Sequence, residues 1–174
     1  MKKVCIKTKQ LIFYWITSFL SGVILYFFLN LFDNFGLGLM GNGHPFEMGL
    51  YRDYLNDYCV FYIFIVCFFY GIFAVLSSNK FIKSGIFGQI VWMFLIIVLT
   101  ILTSLPFGGI LTYYLDMSSG YFPDNWFYIL LTKGISDGIL SGWFFIVISF
   151  PYNILCAVGG YFLTKAGSKY FQTK

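Results

Sequence analysis

The chain has 174 residues, of which 59% are hydrophobic and only 10% are charged. A soluble domain carries about 25% charged residues, so composition alone excludes an ordinary water-soluble globule and places the chain in a membrane. The net charge of +4 comes from lysines scattered over short segments, which forms no groove for nucleic acid.

Residues 1–10, MKKVCIKTKQ, carry Lys2, Lys3, Lys7 and Lys9 and no acid. The apolar run Leu11 to Phe32 follows. It is longer than the about 7–15 residues of a signal-peptide core and no A-x-A site comes after it, so it reads as a first transmembrane helix that stays in place. Ser18 and Gly22 form a small-xxx-small pair on this helix, as do Thr17 and Ser21. Such pairs let helix backbones approach closely, which makes Ser18 and Gly22 candidates for helix packing or partner contact.

Residues 33–57 form an outer loop, irregular in its Gly- and Asn-rich first half. Tyr51, Tyr54, Leu55 and Tyr58 then recur at helical spacing, opposite Arg52, Asp53, Asn56 and Asp57. That alternation predicts a short amphipathic helix at the membrane surface. The run 58–76, YCVFYIFIVCFFYGIFAVL, has no charge and is long enough for a second span. A turn with Lys80 and Lys83 separates it from a third span over 86–105. Pro106, Gly108 and Gly109 are expected to break that helix at the far interface.

Residues 106–142 are aromatic and lightly charged, and suit an interfacial or re-entrant helix. The expected helix starts near Trp126, capped by Asp124. Its expected inner face holds Phe127, Leu130, Leu131, Gly134, Ile135 and Ile139. A fourth span covers 143–162, with Pro151 and Asn153 near its middle, and a lysine-bearing tail follows over 163–174.

The charges set an orientation. Segments 1–10, 77–85 and 163–174 hold nine lysines and no acid, whereas 33–57 and 106–142 hold all seven acids. Lysines near span ends prefer the cytoplasm. The expected fold is therefore all-α and polytopic: four transmembrane helices in a single membrane domain, with both termini cytoplasmic. The polar residues inside the spans, Gln89, Thr100, Thr103, Ser104 and Asn153, are expected to join helices. Gln89 and Asn153 are the leading packing or contact candidates among them.

Several chemistries fail on residue type. The single histidine, His44, pairs only with Glu47, too few ligands for a zinc site. No cofactor motif occurs. The four-helix layout resembles that of bacterial quinone-linked thiol oxidases, but those need cysteine pairs in the outer loops. Cys5, Cys59, Cys67 and Cys156 lie elsewhere, and Cys67 and Cys156 read as small hydrophobes.

Asp116 and Asp137 flank the second outer loop. With the four-helix plan they look like the catalytic pair of lipoprotein signal peptidases, small intramembrane aspartyl proteases. That resemblance implies two carboxylates sharing a proton. The chain reads GGILTYYLD at Asp116 and ISDGILSG at Asp137, departing from the family's N-x-x-D-R and N-x-A-D patterns.

The plan is also similar to that of the four-helix immunity proteins for pore-forming colicins and of exclusion proteins of conjugative plasmids. An AT-rich coding bias toward Ile, Phe, Tyr, Lys and Asn fits a bacterial mobile element. The leading expectation is thus a non-enzymatic protein of the bacterial inner membrane. It would meet the lipid bilayer and a membrane-protein partner: a toxin, a transfer component or a transport component.

Overall fold

The computed structural model describes residues 2–34, 59–118, 120, 122–140 and 150–172, and among them no strand occurs. Helix α1 spans Lys2–Asn34, α2 Cys59–Lys83 and α3 Ile86–Ser118. Helix α4 opens at Trp126–Ile129, passes through a π-helical turn at Leu130–Gly134 and continues over residues 135–140. Helix α5 spans Phe150–Gln172. Three segments are long and apolar enough to cross a membrane among the described residues: Ile6–Leu25, Ile63–Lys83 and Ile86–Leu111. The expected surface helix near 51–58 lies outside the described residues, as does the first part of the expected fourth span.

Only Ser84 and Gly85 interrupt the chain between α2 and α3. The Ser84 amide and hydroxyl both donate to the Lys80 carbonyl, at 3.1 and 2.7 Å, which satisfies an end carbonyl of α2 and turns the chain back. Lys80 then lies 5.2 Å from the centroid of the Trp92 ring across the turn, a cation–π contact.

The first three helices stand in a row, α1 on α2 and α2 on α3. Their directions alternate. Trp15 of α1 meets Phe68 and Phe19 meets Phe64 on α2, while Phe69 of α2 meets Phe107 on α3. Tyr14, Tyr70, Ala74, Phe81, Met93 and Ile96 form the buried core.

Helix α3 does not stop at Pro106. It runs 33 residues, about 50 Å at helical rise, through Pro106 to Ser118. Proline removes one backbone donor but does not by itself end a helix that is packed on its neighbours. The packing here comes from α4. A Cβ on Gly138 would fall within 3.0 Å of the Gly109 backbone, and one on Gly134 within 3.0 Å of Ile110 Cα. Those glycines let the two helices touch backbone to backbone.

Helix α4 starts at Trp126 as expected, but its N-cap is Asn125, and no side chain caps it. Instead the Trp126 amide donates to the Pro123 carbonyl at 2.9 Å. The inner face matches the expected one at Leu130 and Gly134 and departs from it elsewhere. Leu130, Gly134 and Gly138 are buried, whereas Phe127, Leu131 and Ile139 are exposed. The π-turn shifts the register, and glycine decides which face can come close, so bulk does not choose the contact.

Helix α5 packs on the row through its second half. Gly160, Thr164, Gly167 and Ser168 are all buried and fall at i, i+4, i+7 and i+8. Gly160 receives Met93, whose Cε is 2.6 Å from where a Cβ would be, and Gly167 receives Phe13 and Tyr14. Thus α5 meets α3 near Gly160 and α1 near Gly167, crossing the row over a short length. Ile154, Leu155 and Val158, in its first half, are about half exposed.

Candidate functional site

The residues with hydrogen-bonding chemistry gather in two places. The first is a seam where α5 crosses the row. The Tyr14 hydroxyl lies 2.7 Å from Ser168 Oγ and donates to the Thr164 carbonyl at 3.1 Å. Gln10 Nε2 donates to the same hydroxyl at 3.3 Å. The Tyr70 hydroxyl donates to the Gly160 carbonyl at 2.9 Å and lies 2.8 Å from Thr164 Oγ1. Thr164 and Ser168 are fully buried. Every buried side-chain nitrogen or oxygen among the described residues has a partner. A polar group inside lipid is costly without one, so the seam is a set of matched bonds that holds α5 to α1 and α2.

Gln89 extends this seam to α3. Its Oε1 accepts from the Tyr161 hydroxyl of α5 at 2.9 Å, and its Nε2 donates to the Ser84 carbonyl at 3.2 Å. The other polar residues of α3 behave differently from expectation. Thr100, Thr103 and Ser104 donate to the carbonyls of Ile96, Leu99 and Ile101 on their own helix. A hydroxyl three or four residues along a helix finds its own backbone first, so these three spend their described donors inside α3.

On α1, the Ser18 hydroxyl donates to the Trp15 carbonyl at 3.1 Å. Ser18 is half-buried and Gly22 is buried, whereas Ser21 is exposed. Thr17 is half-buried and its hydroxyl donates to the Phe13 carbonyl at 2.6 Å. Asn153 lies in the first turn of α5, and its side chain lies outside the described residues.

The second place is the contact of α3 with α4. Tyr113 donates its hydroxyl to Asp137. Asp137 is half-buried and follows the π-turn. Asp116 belongs to the last turn of α3, and its side chain lies outside the described residues. Gly134 and Gly138 sit level with Leu105 to Ile110. The structure joins Asp137 to Tyr113. No group of three or more potential metal ligands occurs among the described residues.

The residues that sequence reasoning passed over are Tyr14, Tyr70, Thr164 and Ser168. The signal for Thr164 and Ser168 was the small-residue stripe G160-x-x-x-T164-x-x-G167-S168, which straddles the end of the expected fourth span and the lysine-bearing tail. Searches of known protein families, curated proteins and solved structures find nothing that matches this chain.

Proposed function

We propose that the chain is a four-span protein of the bacterial inner membrane, with both termini cytoplasmic, that acts by binding another membrane protein. The proposed type is an immunity or plasmid-exclusion protein, which blocks a pore-forming toxin or incoming conjugative transfer. The observation that carries this reading is how the chain divides its chemistry. Four of its buried hydroxyls, on Tyr14, Tyr70, Thr164 and Ser168, hold its own helices together. Its outward surface is apolar helix, including Ile12, Ile16, Leu20 and Ile24 at four-residue spacing along α1. Lipid covers such a face by default, and a partner helix competes for it through shape and small-residue contact. The one-sided placement of lysines supports the orientation.

Expression in a naive host tests the reading. Cells are challenged with pore-forming colicins and with conjugative donors. Protection from one of them is the expected result, and unchanged killing together with unchanged plasmid uptake overturns it. Co-purification with a transporter or envelope complex after mild detergent extraction would replace it with an accessory-subunit role.

A further inference from the structure

At the end of the bundle where α1 begins and α5 finishes, Ile6, Lys9, Tyr170 and Phe171 line a cleft of about 390 Å³. Small-molecule sites run to about 300–1,000 Å³, so this volume accommodates a phosphoglycerol headgroup. The walls are of two kinds. Ile6 and Phe171 are apolar. Lys9 is exposed and supplies a cation, and Tyr170 is half exposed and supplies an amphipathic ring. Phe171 is braced edge-on against Phe13, with centroids 5.7 Å apart, which gives the cleft a fixed wall.

The cleft sits where one segment apolar enough to span a membrane begins, at Ile6. Lys9 lies one turn inside that boundary, so its ammonium must reach outward to headgroup level. Lys7 is exposed two residues before it in the chain, whereas on α5 the Lys165 ammonium lies 5.5 Å from the centroid of the Tyr161 ring. Neither terminal segment, 1–10 or 163–174, contains an Asp or Glu.

We propose that this cleft binds the headgroup of one anionic glycerophospholipid, with Lys9 on the phosphate and Ile6 and Phe171 against the glycerol and upper acyl carbons. A zwitterionic lipid offers the same shape without net negative charge, so Lys9 selects the anionic one. The inference rests on the bundle being embedded in lipid and is independent of any protein partner.

The test uses the full chain in nanodiscs of mixed phosphatidylglycerol and phosphatidylcholine, released into the gas phase for native mass spectrometry. The unaltered protein is expected to retain one phosphatidylglycerol per chain in preference to phosphatidylcholine. Lys9→Gln is expected to lower that retention about five-fold, the effect of one lysine charge at a membrane surface, while Lys9→Arg keeps it. Lys83→Gln, at the end of α2, leaves retention unchanged. Absence of preference in the unaltered protein overturns the proposal. So does retention unaffected by Lys9→Gln, or an equal loss in Lys9→Gln and Lys83→Gln, which would signal surface charge alone. Displacement of the lipid by millimolar inorganic phosphate would also overturn it, because the cleft would then be reading a free anion.

Discussion

Tyr14 and Ser168 stand 154 residues apart in the chain, and their hydroxyl oxygens are 2.7 Å apart. This contact ties the first helix to the last. Interhelical hydrogen bonds in membranes contribute about 0.6–1.7 kcal/mol each. Tyr14→Phe keeps the ring packed against Tyr70 and removes the hydroxyl. It is expected to cost about 1–3 kcal/mol, because the one hydroxyl serves Ser168, Gln10 and the Thr164 carbonyl. Unfolding in bicelles measures the loss. A double-mutant cycle with Ser168→Ala should return a coupling of about 0.6–1.7 kcal/mol, and additive single losses would refute the pairing.

Two glycines on different helices should answer the same substitution in opposite ways. A methyl at Gly138 meets the Leu105 carbonyl and the backbone of Gly109, neither of which is a flexible group. Gly138→Ala is expected to destabilise the α3–α4 contact by about 1–3 kcal/mol. A methyl at Gly159 meets nothing within 4 Å. Gly159→Ala should be neutral, or stabilise α5 by up to about 1 kcal/mol through helix propensity. Thermal unfolding in detergent compares the two.

Gln89→Leu removes the acceptor of Tyr161 and so loosens α5 from α3. The expected loss is about 0.6–1.7 kcal/mol. Tyr161→Phe should cost a similar amount alone and little more when combined with Gln89→Leu, since both remove one bond. Denaturation of the double variant checks the non-additivity.

Tyr113 and Asp137 offer a separate test. Tyr113→Phe deletes the phenol donor to Asp137. If α3 and α4 are held mainly by their glycine contact, the change should cost less than Gly138→Ala. Cysteine cross-linking between the two helices, compared across the variants, ranks them. A larger effect from Tyr113→Phe would make the carboxylate the main joint.

The apolar runs made α1, α2 and α3 readable, because nothing but a helix satisfies its own backbone in lipid. The limits were less legible. Pro106 suggested a stop, yet α3 continues, since Gly109 gains the close company of Gly134 and Gly138. A G-x-x-x-G reading of G134-I-S-D-G138 would have shown it. The stripe from Gly160 to Ser168 was obscured for another reason. Lys165 and Lys169 alternate with it, and their charge drew attention to topology while the opposite face carried the packing. Thr100, Thr103 and Ser104 looked like interhelical groups, but a sequence does not tell whether a hydroxyl bonds across helices or back onto its own.

The order of synthesis gives the seam a temporal meaning. Helices α1, α2 and α3 emerge first and can pair with their sequence neighbours as they leave the ribosome. Thr164 and Ser168, the partners that Tyr14 and Tyr70 need, arrive only with the last helix. A chain cut off before α5 would therefore leave the Tyr70 phenol in lipid without the two acceptors it has in the finished bundle, and Tyr14 with Gln10 alone from its present set. The polar pairing of the first two helices is thus complete only once α5 has docked.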